Sequence, residues 1–257
     1  MDWDNKDQVK LALLQSSANF SYVSERLRDD KEIVLSVLRK DRALIKYVST
    51  RLRDDEEVMG ECVAWDEGMA YASSRLKKDK TFVLSALQKS HYSNLGLEYL
   101  DNTLKDDEEV VMAVLRKNTA QFKHASYRLR SNPSIVTLAF TYVGTNFPYV
   151  ADSLKHDKDF ILSLIKINPD IVSYLPQKML EDRDIALRAV SEDGRLLSWF
   201  SDELRGDIGV VLAACKKDKW AYGMARTKEM GRFVMRYLYE NNSFYTPLAN
   251  KLKHDVQ

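Results

Sequence analysis

Apolar and polar positions alternate along this chain in two helical registers, and the whole pattern recurs about every 25 residues. The landmark is the phrase Leu-basic-x-Asp. It spans Leu27 to Asp30, Leu52 to Asp55, Leu76 to Asp79, Leu104 to Asp107, Leu154 to Asp157, Leu204 to Asp207 and Leu252 to Asp255. Its last Asp serves as an anchor, and Asn132, Asp182 and Met230 are degenerate anchors. Successive anchors lie 25, 24, 28, 25, 25, 25, 25, 23 and 25 residues apart. Positions four, seven and eight after the anchor are apolar, as in Val34, Val37 and Leu38 or Ile161, Leu164 and Ile165. That spacing makes one face of a helix. Positions ten, seven and three before the next anchor make a second face, as in Phe20, Val23 and Leu27 or Ile45, Val48 and Leu52.

An aromatic column stands eight before the anchor: Tyr22, Tyr47, Tyr71, Tyr99, Tyr149, Tyr174, Trp199 and Tyr222, with His124 in the same place. These rings are predicted to pack between neighbouring repeats, with the hydroxyl reaching a turn or water. The anchor Asp or Asn suits a helix N-cap, because its side chain accepts from an orphan backbone N–H. Glu32, Glu57, Glu109, Asp159 and Asp184 then fall in the first turn, where the helix dipole favours negative charge. Asn132-Pro133 joins a cap to proline at the first helical position. Asp41, Asn118, Asn168 and Asp193 interrupt each repeat in its middle.

Each repeat is therefore predicted as a helix of roughly ten residues, a tight turn and a second helix of similar length. Helices this short do not stand alone in water, and stacking buries a continuous core. The expected fold is all-α, a right-handed α-solenoid of short antiparallel helical hairpins. It forms a single repeat domain over 1–257, with repeats ending near 30, 55, 79, 107, 132, 157, 182, 207, 230 and 255. The repeat ending at Asp107 carries an insertion around Ser90-His91-Tyr92-Ser93-Asn94, and the repeat ending at Met230 has lost most of its signature. The last anchor, Asp255, stands where a further helix would begin.

The phrase Leu-Arg/Lys-x-Asp-x-x-x-Val-Leu, with Tyr22-Val23-Ser24 and Tyr47-Val48-Ser49 upstream, resembles the tandem helical repeat of domain-of-unknown-function family 4116. Leu27 to Leu38, Leu104 to Leu115 and Leu154 to Ile165 carry the likeness best, and it weakens around 172–182 and after Asp218. The resemblance implies no activity and no catalytic residue. Members of that family occur in protists, large viruses, phages and bacteria living within other cells. The resemblance therefore points toward an effector-like or anti-defence binding protein.

Composition narrows the classes. Nine glycines and five prolines in 257 residues favour helices over sandwiches or barrels, and 45% hydrophobic content excludes a disordered chain. With 39 basic and 38 acidic residues the formal charge is +1, which lacks the basic excess of a dedicated nucleic-acid binder. Two cysteines imply no disulfide framework. The polar start and the lack of any run of about 18 apolar residues argue against a signal or a membrane span. The expected compartment is the cytoplasm of the producing or host cell.

No phosphate loop, His-Glu-x-x-His, Cys-x-x-Cys or serine elbow is present, and neither a cofactor nor a metal is expected. Cys62 and Cys215 fall in apolar columns and read as core. His156 and His254 share one polar place at a helix end. The pairs Asp29-Asp30, Asp54-Asp55 and Asp106-Asp107 read as caps before they read as divalent-ion ligands, since hard ions need convergent oxygens.

Two surfaces are candidates. The first holds Trp65 and Tyr142, which occupy a place where Lys40, Lys117 and Lys217 are usual, with His91 and Tyr92 in the insertion and Trp3 ahead of the first repeat. Exposed Trp and Tyr are frequent interface anchors. The second is a basic edge: Arg28, Arg53, Lys77, Lys105, Arg130, Lys155 and Arg205, two before the anchor. These cations either complement helix C-termini or align into a ladder for a phosphate backbone or an acidic partner. The favoured expectation is a non-enzymatic protein–protein interaction module with another protein as partner. The alternative is nucleic-acid or nucleotide-signal binding along the basic edge. A catalytic site in the insertion or in the degenerate C-terminal repeats is the remaining reading.

Overall fold

The structure is a computed structural model and describes residues 1–63, 67–89, 95–141 and 144–241. Every regular element among them is an α-helix or a 3-10 helix, so the fold is an all-α tandem repeat. Two compact units are resolved by their internal contacts, Met1–Leu129 and a second beginning at Arg130. Each has the same construction.

The first half of a repeat forms as its pattern predicts. Lys31–Leu38, Lys80–Lys89, Glu108–Leu115, Pro133–Ala139, Lys158–Ile167, Arg183–Glu192 and Ile208–Lys217 are α-helices. Asp30 Oδ1 accepts from the Glu32 and Ile33 amides at 3.1 and 3.2 Å. Asn132 accepts from Ser134 at 2.9 Å, with Pro133 at the first helical position. The whole column from Val34 through Val136 and Ile161 to Val234 is buried, as are Cys62 and Cys215. The repeat ending at Asp30 has a first-half helix of its own. Asn5 caps Lys6–Gln15, and Val9, Ala12 and Leu13 are buried in the same three columns.

The second half is not one helix. Ser17–Tyr22, Arg42–Tyr47, Thr119–His124, Pro169–Tyr174 and Gly194–Trp199 are six-residue 3-10 helices. An extended residue ends each, such as Val23 (φ −62, ψ 142) or Leu175 (φ −67, ψ 146). In most repeats a four-residue helix such as Glu25–Arg28 then leads into the next anchor. The residue after the extended one is often serine and caps the new turn, although the same split forms at Ala151 and Pro176 with no side-chain cap. Ser24, Ser49, Ser73 and Ser126 each accept from the backbone N–H three residues on, at 3.2 to 3.4 Å. A hydroxyl capping a fresh turn competes with helix continuation. The bend still keeps Phe20, Val23 and Leu27 inward, all at 2% exposure or less.

In the first unit, Lys31–Leu38 packs on Glu56–Gly60 and Lys80–Lys89 on Glu108–Leu115, while Ser17–Tyr22, Arg42–Tyr47 and Gly68–Tyr71 pack in series. In the second, Lys158–Ile167, Arg183–Glu192 and Ile208–Lys217 pack in series, as do Gly144–Tyr149, Pro169–Tyr174, Gly194–Trp199 and Lys219–Met224. Each unit thus pairs a row of α-helices with a row of 3-10 helices.

Three kinds of bond join consecutive repeats. A backbone rung runs from the serine N–H to the carbonyl two before the previous anchor: Ser24 to Trp3, Ser49 to Arg28, Ser73 to Arg53, Ser126 to Lys105, Ala151 to Arg130, Ser201 to Leu180 and Arg226 to Arg205. A clamp closes on the residue before the anchor. Asp29 accepts from the Ser49 hydroxyl and from Arg51 Nε at 2.9 Å, while Arg51 donates to the Asp29 carbonyl at 2.8 Å. Asp54 with Ser73 and Arg75, and Asp106 with Ser126 and Arg128, repeat it. At one junction the charges swap, and Lys78 faces Asp101 at 3.7 Å. Finally, the cation after the anchor reaches the next repeat's cap: Lys31 to Asp55 and Glu57 at 2.8 and 2.9 Å, and Lys158 to Asp182 and Asp184 at 2.8 and 2.7 Å. The doubled Asp therefore has two separate structural tasks.

The degenerate repeat mixes two registers. The rung at Arg226 keeps the 25-residue step and so points to Arg232, whereas the buried Val234 and Leu238 keep the spacing counted from Met230. Arginine cannot accept from a first-turn amide. The short turn and the next helix fuse into Lys228–Asn241, started by the Thr227 hydroxyl accepting from Met230. Trp220 and Tyr237, counted as core from Met230, are instead 52% and 48% exposed.

Candidate interaction surface

The aromatic column closes each 3-10 helix, one residue before the extended turn. That position lies outside the buried columns. Tyr22 is 65% exposed, Tyr149 and Tyr174 are 40% and Trp199 is 50%; Tyr47, Tyr71 and Tyr99 are half-buried. In the first unit these rings carry a neighbour from the preceding repeat. The guanidinium of Arg28 lies 5.5 Å from the Tyr47 ring centre, and that of Arg53 lies 5.5 Å from Tyr71. Such cation–π contacts stabilise by electrostatic attraction to the ring face. Trp3 stands in the equivalent place before Tyr22, and the two rings lie 5.5 Å apart. Trp3 is half-buried there. His124 is half-buried in the same column, 3.6 Å from Glu98. Burial pushes its pKa down, and Glu98 opposes this in part.

The basic edge is bonded to the chain's own backbone. Arg28 donates to Ser21 O at 2.7 Å, Arg53 to Lys46 O at 2.6 Å and Lys77 to Ala70 O at 2.8 Å. Arg130 donates to Tyr149 O, Lys155 to Pro148 O and Arg205 to Met224 O, each at 2.8 Å. Lys105 is half-buried beside them. All of these carbonyls are near the ends of 3-10 helices, where intrahelical donors run out. Trp65, His91, Tyr92 and Tyr142 lie outside the described residues.

Each unit has a groove among its described residues. In the second unit, Thr145, Asp170, Ser173, Tyr174, Leu196 and Trp199 line one of about 330 Å³. Asp170 is exposed there; its amide bonds to Asn168, and the Ser173 hydroxyl donates to its carbonyl at 2.9 Å. Nearby Arg195 is held by Asp193 at 2.7 Å. In the first unit, Glu56, Glu57, Asp79, Thr81, Phe82 and Ala86 line a groove of about 490 Å³. Its carboxylates are engaged: Glu57 with Lys31, Glu56 with Arg75, and Asp79 with the Phe82 amide.

Burial pushes the Cys62 and Cys215 thiols up to about 12, so neither is a thiolate near neutral pH. Among the described residues no three His, Cys, Asp or Glu side chains converge as metal ligands, and no helix is long and apolar enough to cross a membrane. Sequence reasoning treated the aromatic column as packing and passed over its exposure. The available signal was its place two residues after the Phe20, Phe147 and Val172 core column, on the far side of a tight helical turn.

The model of the family described as domain of unknown function (DUF4116) matches residues 5–53, 30–67, 107–152, 132–180 and 182–230. No curated protein and no solved structure matches the chain.

Proposed function

The chain belongs to the DUF4116 family of tandem repeats, and from that premise we propose that it is a non-enzymatic binding protein that holds another protein along its aromatic row. The carrying observation is the run of Tyr149, Tyr174 and Trp199, three large rings at one register in consecutive repeats, each at least 40% exposed. Aromatic side chains offer wide contact area at small entropic cost and are enriched at interface hot spots. A periodic row suits an extended partner, because repeat proteins present their surface residues as a series. An effector-like or anti-defence role is the finer form of this proposal, with the partner then a protein of a host cell.

The same geometry weighs against the basic edge as a nucleic-acid track. A phosphate backbone would have to displace the carbonyls that already hold Arg28, Arg53, Lys77, Arg130, Lys155 and Arg205. The test is a pull-down from nuclease-treated lysate with the wild-type chain and with the triple variant Tyr149→Ala/Tyr174→Ala/Trp199→Ala. Retention of one protein by the wild type, and its loss from a triple variant with unchanged circular dichroism, is expected. Equal retention by both, or dependence on nucleic acid, overturns the proposal.

A further inference from the structure

We infer that the groove between Tyr174 and Trp199 takes an arginine side chain of the partner protein. This rests on the binding-protein reading and specifies its chemistry. The first ground is internal to the chain. Rings of this column in the first unit, Tyr47 and Tyr71, already carry a guanidinium from the preceding repeat at 5.5 Å. Before Trp199 that place holds Leu180, which supplies no cation, and the ring is half exposed. Before Tyr174 it holds Lys155, an ammonium rather than a guanidinium, bonded to the Pro148 carbonyl at 2.8 Å and to Asp152 at 3.4 Å.

The second ground is charge. The exposed Asp170 carboxylate lines the same groove as the two rings. The nearby cation Arg195 is bonded to Asp193 through Nε and Nη2, at 3.0 and 2.7 Å. A carboxylate and two aromatic rings lining one groove are complementary to a cation. Guanidinium suits it better than ammonium, since it is planar, weakly hydrated, able to stack on a ring and able to pair with a carboxylate by two parallel bonds. The larger groove of the first unit does not qualify, because Glu56, Glu57 and Asp79 already have partners there.

The test uses the full chain and two synthetic peptides, four Gly-Arg repeats and four Gly-Lys repeats. The indole N–H signal of Trp199, assigned by its disappearance in Trp199→Phe, is followed by NMR during titration. Saturable movement with the arginine peptide is expected, with affinity for the lysine peptide about tenfold weaker. Asp170→Asn and Trp199→Ala should each weaken arginine-peptide binding about tenfold while leaving the melting temperature unchanged. An unmoved Trp199 signal, equal affinity for both peptides, or an unaffected Asp170→Asn overturns the inference. If these fail while the triple variant still loses its partner, the arginine chemistry falls and the binding-protein reading stands.

Discussion

Ser49→Ala tests the junction between repeats directly. The hydroxyl does two things: it caps the turn at Leu52, accepting at 3.2 Å, and it donates to the Asp29 carboxylate. Losing an N-cap serine costs about 1 kcal/mol. A hydrogen bond to a charged group is worth about 1.5–3 kcal/mol. Here Asp29 is 38% exposed and keeps Arg51, so roughly 1 kcal/mol of that is realised. Ser49→Ala should therefore destabilise by about 2 kcal/mol. Arg51→Ala breaks an ion pair whose arginine is 66% exposed and should cost under about 1 kcal/mol. Urea unfolding with an unchanged m-value measures both. The cycle with Asp29→Ala should show about 1 kcal/mol of coupling. A smaller loss for Ser49→Ala than for Arg51→Ala, or no coupling to Asp29, would refute the assignment of this serine as both cap and clamp.

Leu104→Asp, at a position 5% exposed, should lower the melting temperature sharply, since it buries an unpaired carboxylate. Gly194→Ala should destabilise by about 1–3 kcal/mol, because a Cβ there would drive into the Ala214 carbonyl and approach Asp218 Cβ at 2.9 Å. Gly223→Ala, with nothing within 4 Å, is its neutral control in the same melting assay. Acid should unfold the chain through its caps. Burial pushes the Asp30 and Asp55 carboxyls up, but Lys6 and the Ile33 amide, and Lys31 and the Val58 amide, more than offset this and leave both below the ordinary value. A lowered folded value means the unfolded state binds more protons. The stabilisation is therefore present above about pH 4 and is lost as pH falls through the folded values. Asp30→Asn should flatten that slope in a circular-dichroism titration. Cys62 and Cys215 should resist thiol-reactive dye at pH 8 until urea is added.

The starts of the long helices were legible in the sequence because Asp30 or Asn132 caps through its own side chain, a short-range chemistry visible in one register. The split of the second half was not. Columns at ten, seven and three before the anchor fit a continuous helix as well as a 3-10 helix, a bend and a turn. Where a serine follows the bend its hydroxyl rewards a new helix start, as at Ser24, but Ala151 and Pro176 follow the same bend without a side-chain cap, so no single residue type marks it. The first-half helix of the repeat ending at Asp30 is not announced by the landmark phrase, because Trp3 stands where the phrase has its basic residue. The direction in which Arg28 and Arg53 turn depends on carbonyls seven residues away, which no column spacing displays.

Proline at 176 gives the second unit a marked seam. Every neighbouring junction there has its backbone rung, from Ala151, Ser201 and Arg226, but Pro176 has no N–H to offer the Lys155 carbonyl. Its repeat also lacks the serine cap, and His156 stands in place of the clamping Asp. Pulled by its ends in an optical trap, the second unit should part first between Lys155 and Pro176. Amides flanking this seam should exchange with deuterium sooner than those flanking Ser201, so that the unit yields in steps from a fixed point rather than fraying evenly from its termini.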